Sequence, residues 1–114
     1  MANTFKLKTK ANLTTSLAAV YTVPSSKTAI ILSISLANTT GSAVTADIQV
    51  VSDTSDTETN ANSYLLKGAP VPSGSTLEIM QGNKLVLQTT DVLKAKASAG
   101  TSVDMIVSLM EMDV

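Results

Sequence analysis

The sequence contains no cysteine, histidine or tryptophan, and all eight of its basic residues are lysine. Without cysteine the chain cannot form a disulfide, a thiolate nucleophile or a cysteine-ligated zinc site. Without histidine it has no imidazole to act as a general base or to bind a metal. These absences remove the residues on which most enzymes depend. We therefore predict a protein with no catalytic residues, no metal and no cofactor.

The chain also lacks a large net charge and a long apolar run. Eight basic residues stand against nine acidic ones, giving a net charge of -1, and this balance argues against a nucleic-acid partner. No run of residues approaches the roughly 20 apolar positions of a membrane span, so no membrane partner is expected. The opening residues lack the apolar segment of a signal peptide, which favours synthesis in a cytoplasm without cleaved export.

Aromatic residues make up only 3% of the chain, so its core must consist mainly of aliphatic side chains. Threonine and serine account for about a quarter of the residues. Threonine, valine and isoleucine are branched at Cβ, and such side chains favour the pleated surface of a sheet. A length of 114 residues fits a single domain, which we predict to span residues 1–114.

Apolar and polar residues alternate along much of the chain, with the period of half-buried strands. The clearest case is Thr28–Asn38, which a turn connects to residues 43–51, and these two segments are predicted to form a hairpin. About eight to nine such strands, separated by Gly, Pro, Asn and Ser, predict an all-β fold. We expect an antiparallel β-sandwich, either jelly-roll or immunoglobulin-like. The predicted core residues are Ile30, Leu32, Ile34, Leu36, Val44, Ile48, Val50, Leu85, Leu87, Val103, Val107 and Leu109.

Both terminal segments have features of assembly surfaces. In the first strand Phe5 and Leu7 alternate with lysines, so we predict a half-buried strand with its lysines on the solvent face. Three lysines on one face either protect a sheet edge from unwanted pairing or meet an acidic partner. Apolar residues at both ends of the chain, on long strands, favour packing against another subunit. The predicted assembly contacts are Phe5, Lys6, Lys8, Lys10, Met110 and Met112.

The segment 52–62 is polar and carries three carboxylates, those of Asp53, Asp56 and Glu58. Carboxylate oxygens bind hard cations, but the segment lacks the fixed glycine and terminal glutamate of a helix-loop-helix calcium site. A solvated loop is the preferred interpretation.

Several segments resemble small structural proteins from the particles of tailed bacteriophages, particularly marine and cyanobacterial ones. The segments that carry the resemblance are the opening Met-Ala-Asn-Thr-Phe-Lys, Ser-Leu-Ala-Asn-Thr-Thr at 35–40, Tyr-Leu-Leu-Lys-Gly-Ala-Pro-Val-Pro at 64–72, Gly-Asn-Lys-Leu-Val-Leu at 82–87 and Ser-Val-Asp-Met-Ile-Val-Ser-Leu-Met-Glu at 102–111. They extend over nearly the whole chain and consist of strands and turns rather than a catalytic motif.

The resemblance implies a non-enzymatic β-sandwich present in many copies on the virion. It implies a head decoration or cement protein, with a neck or tail component as the alternative. The implied partners are other copies of the chain, in a homo-oligomer, and a phage capsid or tail protein, after synthesis in the host cytoplasm. A host-surface adhesion module is a further alternative, but glycan sites usually rely on the aromatic platforms that are scarce here.

We predict that the loop 52–62 is dispensable for folding. It contains no apolar residue larger than alanine, and the entropy of closing a loop rises only slowly with its length. Replacing the loop by a four-residue Gly/Asn turn should leave the thermal unfolding midpoint nearly unchanged. A loss of several kcal/mol would show instead that the loop packs on the domain or binds an ion.

Overall fold

The computed structural model describes residues 3–52, 62–80 and 82–113, and the regular structure in these ranges is entirely β-strand. The strands are β1 (Asn3–Lys10), β2 (Ala18–Thr22), β3 (Lys27–Asn38), β4 (Val44–Val51), β5 (Asn62–Val71), β6 (Thr76–Glu78), β7 (Leu85–Leu87), β8 (Val92–Ala97) and β9 (Val103–Asp113). The described ranges contain no helix that could cross a membrane. Residues 53–61 of the predicted polar loop lie outside the described residues.

The strands form two antiparallel sheets that pack face to face. The first sheet has the order β1-β9-β3-β6, with β7 also paired to β3, and the second has the order β2-β8-β4-β5. Aliphatic side chains from both sheets fill the space between them, and many are completely buried. This arrangement confirms the predicted antiparallel β-sandwich.

The strand pairs are nested in the sequence. The strand β1 pairs with β9, β2 with β8, β3 with β6 and β7, and β4 with β5. The chain thus follows the path of one long hairpin wound across two sheets, which is the topology of a jelly roll. As a consequence β1 forms an edge of the first sheet, whereas β9 lies inside that sheet between β1 and β3.

The predicted hairpin between β3 and β4 is wrong, because the two strands belong to different sheets. The buried side chain of Asn38 shapes the connection between them. Its Nδ2 donates to the carbonyl oxygens of Ser42 at 2.8 Å and Val71 at 2.9 Å, and its Oδ1 accepts from the Thr40 backbone N–H at 2.9 Å. These bonds satisfy backbone groups that have no strand partner, so the chain can turn from one sheet to the other.

The core differs from the prediction in the middle of β3. Ile34 and Leu36 are fully buried as expected, but the predicted core residues Ile30 and Leu32 are only half-buried. The pairing with β9 shifts register between Ile31 and Ser33. A β-bulge adds one residue and moves the side chains beyond it to the opposite face. The inward face therefore carries Ile31 before the bulge and Ile34 after it.

The remaining predicted core residues lie in or against the core. Most of them are buried, namely Val44, Ile48, Leu87, Val103, Val107 and Leu109. Val50 and Leu85 are partly buried and pack against this cluster. Alternation of apolar and polar residues thus predicted the inward face of β4, β7 and β9 correctly.

Replacing Asn38 by alanine should lower the free energy of unfolding by about 2 kcal/mol, because buried backbone groups lose their partners. The measurement is denaturant unfolding at constant m value. Asn83→Ala is the matched control, since Asn83 is exposed in a loop. Equal stability of the two variants would contradict the role assigned to the Asn38 side chain.

Candidate assembly surface

The strand β1 is oriented opposite to the prediction from its sequence. Its register with β9 places Lys6 opposite Leu109 and Lys8 opposite Val107, and both of these β9 side chains are buried between the sheets. Directly opposed residues of adjacent strands project to the same face. The lysines of β1 therefore lie on the inner face of the first sheet, whereas Phe5 and its neighbour Leu7 point to solvent.

A buried glutamate holds β1 in this orientation. The Glu111 side chain on β9 is only 3% exposed, and its Oε1 lies 3.0 Å from Lys6 Nζ. The Tyr21 hydroxyl on β2 donates to Glu111 Oε2 at 2.6 Å. Glu111 thus connects β1 to the edge strand of the opposite sheet. We call Lys6, Tyr21 and Glu111 the edge clamp.

The protonation states of the edge clamp are set by these contacts. The hydrogen bond from Tyr21 and the nearby Lys6 lower the pKa of Glu111, although burial opposes them. Burial and the bond to Glu111 raise the pKa of the Tyr21 hydroxyl. At neutral pH Glu111 is therefore a carboxylate and Tyr21 a protonated phenol.

Lysines can occupy this inner face because β1 lies at the margin of the sandwich. Their aliphatic stems cover apolar surface while the ammonium groups reach water, as the 40% exposure of the Lys6 side chain shows. Lys8 Nζ lies 6.0 Å from the centre of the Tyr21 ring, at the outer limit of a cation–π contact. The acidic partner of Lys6 in the structure is a residue of the same chain.

The outer face of the first sheet carries a continuous row of apolar side chains. Phe5 lies opposite Met110, and Met110 lies opposite Ile30. Ile30 in turn lies opposite Val86 on β7. These four residues, which we call the outer row, cross the sheet at right angles to its strands.

Further apolar residues flank the outer row on the same face, namely Leu7 on β1 and Ile106 and Met112 on β9. The exposed fractions are large for apolar residues: 73% for Phe5, 64% for Leu7, 59% for Val86 and 43% for Ile106. The first sheet thus presents an apolar face to solvent.

The second sheet presents a polar outer face. On that face Asp47 lies opposite Lys96, and Gln49 lies opposite Lys94. Lys96 Nζ is 3.6 Å from Asp47 Oδ2. Asp47 and Gln49 are each only 8% exposed, and Lys94 and Lys96 beside them are partly exposed. The difference between the two sheets identifies the face of the first sheet as the unusual surface.

The six predicted assembly contacts do not form one surface. Phe5, Met110 and Met112 lie on the outer face, whereas the predicted contacts Lys6, Lys8 and Lys10 lie on the inner face. Sequence reasoning missed the contributions of three residues to the outer face, namely Ile30, Val86 and Ile106. Three runs of consecutive apolar residues, 29–32, 85–87 and 105–107, could have indicated them, because such runs occur in strands with apolar side chains on both faces.

An open cavity of about 340 Å³ lies beside β7. It is lined by Val50, Ser52, Leu85, Val86, Leu87, Gln88 and Asp91. Asp91 Oδ2 accepts from the backbone N–H of Gln88 at 2.9 Å, which stabilises the turn before β8. Among the described residues, no group of three or more His, Cys, Asp or Glu side chains could hold a metal ion.

No protein-family model and no curated protein matches this chain in sequence. Solved structures match it in fold. One is a chain of the T13 IBDV viral particle, with 7% identity and a TM-score of 0.59 over 96% of this chain. Another is the VP2 subviral particle of infectious bursal disease virus, with 11% identity and a TM-score of 0.51 over 98% of this chain. The matched regions are 30% and 38% of those viral chains.

A non-viral structure is also similar, from the disulfide-linked pili of Bacillus endospore appendages. It has 12% identity and a TM-score of 0.51, and the match covers 99% of this chain and 88% of the appendage chain. At such low identities the comparisons establish a shared fold, and folds of this type carry many functions.

The edge clamp should make stability depend on acid pH. Because the pKa of Glu111 is lowered on folding, its contribution is fully present above the ordinary value of 4.5 and is lost as pH falls through the lowered value. Glu111→Gln should abolish this part of the pH dependence in denaturant unfolding. Glu78→Gln, at an exposed glutamate, should preserve it. Equal pH profiles for Glu111→Gln and the parent protein would contradict this assignment.

Removing the Tyr21 hydroxyl should weaken the same clamp. Tyr21→Phe is expected to cost about 1.5–3 kcal/mol at neutral pH, since it deletes a hydrogen bond to an ionised group. Acid loss of stability should then begin at a higher pH than in the parent protein, because the pKa of Glu111 rises without its donor. A profile of unfolding free energy that is lower at every pH but not displaced along the pH axis would rule out this coupling between Tyr21 and Glu111.

Proposed function

We propose that this protein is a non-enzymatic structural protein of a bacteriophage particle, in which it decorates and stabilises the head. The observation that carries the proposal is the exposed apolar face on the first sheet of a jelly-roll sandwich. Soluble monomers rarely leave contiguous apolar patches of this kind in water unless the patch binds something. A decoration protein binds the shell through its surface, so it needs an exposed face of this kind.

The fold supports this proposal. The jelly roll is the fold of many viral capsid domains, and two of the similar structures come from virus particles. The composition supports it as well, because a chain without cysteine and histidine lacks the thiolate nucleophile and the imidazole base that many enzymes use. The chain also has no thiol to oxidise and no imidazole to titrate near neutral pH, which suits a particle that persists outside a cell.

Decoration would stabilise the head because binding energy favours the assembled state. A protein that binds the assembled shell but not its separated subunits shifts the equilibrium toward the shell. Each bound copy adds apolar contact area with the shell. A copy that contacts several shell subunits at once binds more tightly than it would through a single contact. The rigid sandwich contributes by avoiding the entropy cost of ordering a flexible chain on binding.

A second candidate is a neck, tail or other filament subunit. One observation favours it, since the similar pilus chain is nearly the same length and is matched over 88% of that length. The disulfide linkage named for those pili is impossible here, because this chain has no cysteine. A filament of this protein would require non-covalent contacts, for which the same apolar face is available.

The third hypothesis, an adhesion module for host glycans, receives less support. A glycan platform needs an aromatic ring with a free face. The ring of Tyr64 is 42% exposed, but Lys67 Nζ lies 4.2 Å from its centre and occupies one of its faces. Tyr21 is buried in the edge clamp, which leaves Phe5, 73% exposed, as the main aromatic surface.

The experiment is to purify particles of the phage that encodes this chain and to separate heads from tails. We expect mass spectrometry to find the protein in the head fraction, at a copy number comparable to that of the major capsid protein. Particles assembled without it should lose DNA at a lower temperature. Recovery only with tails would support the second candidate, and absence from particles would refute both.

A further inference from the structure

None of the four residues of the outer row carries a charge. The lysines of β1 all project to the other face of the sheet, as the register with β9 requires. The acidic residues on the outer face lie near the far end of the strands, where Asp104 is opposite Ala37 and Glu78 is opposite Ser35. A partner recognised through opposite charge would find nothing complementary at the outer row. A second copy of the same neutral face could approach it without repulsion.

The exposed area is sufficient for a dimer. Phe5, Leu7, Val86 and Ile106 are 73%, 64%, 59% and 43% exposed. With roughly 150–200 Å² for each fully exposed side chain, they leave on the order of 400 Å² of apolar surface in water. Two copies would bury about 800 Å² of it, which is the apolar share expected in a stable interface of about 1,200 Å².

The outer row also has a gradient of size. It begins with Phe5 on β1, continues through Met110 and Ile30, and ends with the much smaller Val86 on β7. A two-fold axis parallel to the strands would place the large end of one row over the small end of the other. Facing sheets pack most densely when large residues meet small ones.

We propose that the outer face of the first sheet binds a second copy of the chain, with the two outer rows packed face to face about an axis parallel to the strands. Phe5 then lies over Val86 of the second copy, and Met110 lies over Ile30 of the second copy. At the far end of the strands, Glu78 comes over Thr9 of the second copy, so that acid does not meet acid.

A two-fold axis along the row itself fits less well. It would place Phe5 over Phe5 at one side and Val86 over Val86 at the other, crowding one margin and leaving a gap at the other. Gaps and overpacking both cost free energy in a dry interface. The edge clamp is compatible with the favoured arrangement, because it fixes β1 from the inner face and leaves Phe5 free for contact.

This dimer uses the same outer face that supports the proposed function and assigns a second copy of the chain as the partner of that face. It is tested on the purified protein without particles, so either can fail alone. Sedimentation of the full chain should show a dimer, and Val86→Lys should shift it to a monomer, since it places a charge against Phe5 of the second copy. Leu65→Lys is the matched control, because Leu65 is an exposed apolar residue of the second sheet and should leave the dimer unchanged. A monomeric parent protein at high concentration would overturn the proposal.

Cross-linking tests the arrangement. Because the chain has no native cysteine, only the introduced cysteines carry thiols that can react. Phe5→Cys and Val86→Cys chains are prepared separately, and one of them carries a mass tag. The two are then mixed and treated with a bismaleimide. The reagent is shorter than about 14 Å, the three strand spacings that separate positions 5 and 86 within one copy. We expect the tagged and untagged chains to be joined in the mixture, with little product from either variant alone. Products formed mainly by Phe5→Cys alone, or no product in the mixture, would overturn the arrangement.

Discussion

The buried carboxylate of Glu111 determines which way the edge strand β1 faces. It lies where β1 meets the second sheet, and its two oxygens engage Lys6 and Tyr21. A carboxylate with so little exposure needs such partners, because an unpaired charge there would cost several kcal/mol. When Lys6 turns inward to supply the charge, alternation forces Phe5 outward. The apolar outer face is therefore a consequence of an electrostatic requirement on the inner face.

The nested topology gives this contact its wider effect. Pairing β1 with β9 joins segments about a hundred residues apart, and Glu111 sits on the interior strand that both β1 and β3 use as a partner. The strand that carries Glu111 is therefore paired on both of its sides. Folds built from such distant pairings form slowly, since long loops must close before their contacts stabilise them. Once formed, the sandwich presents its faces rigidly, which suits a subunit that acts through its surface.

The outer faces of the two sheets differ in polarity. The second sheet offers an outer face of charged and amide groups, including the Asp47–Lys96 pair, which keeps that side compatible with water. The first sheet offers an outer face whose central row is apolar and uncharged. A domain with one polar outer face and one apolar outer face has one side suited to assembly, and this asymmetry supports the proposed structural function.

The sequence alone determined the fold class, because alternation with period two and frequent turn residues leave few alternatives to a β-sandwich. It also identified most of the core, since residues such as Val107 and Leu109 are buried by local alternation. It could not determine that β3 and β4 belong to different sheets, because a turn sequence such as that after Asn38 does not reveal which strand each neighbour will pair with. Only the tertiary structure decided which face of β1 is inward. Alternation places Phe5 and Lys6 on opposite faces, but the choice between those faces depends on Glu111, a residue about a hundred positions away.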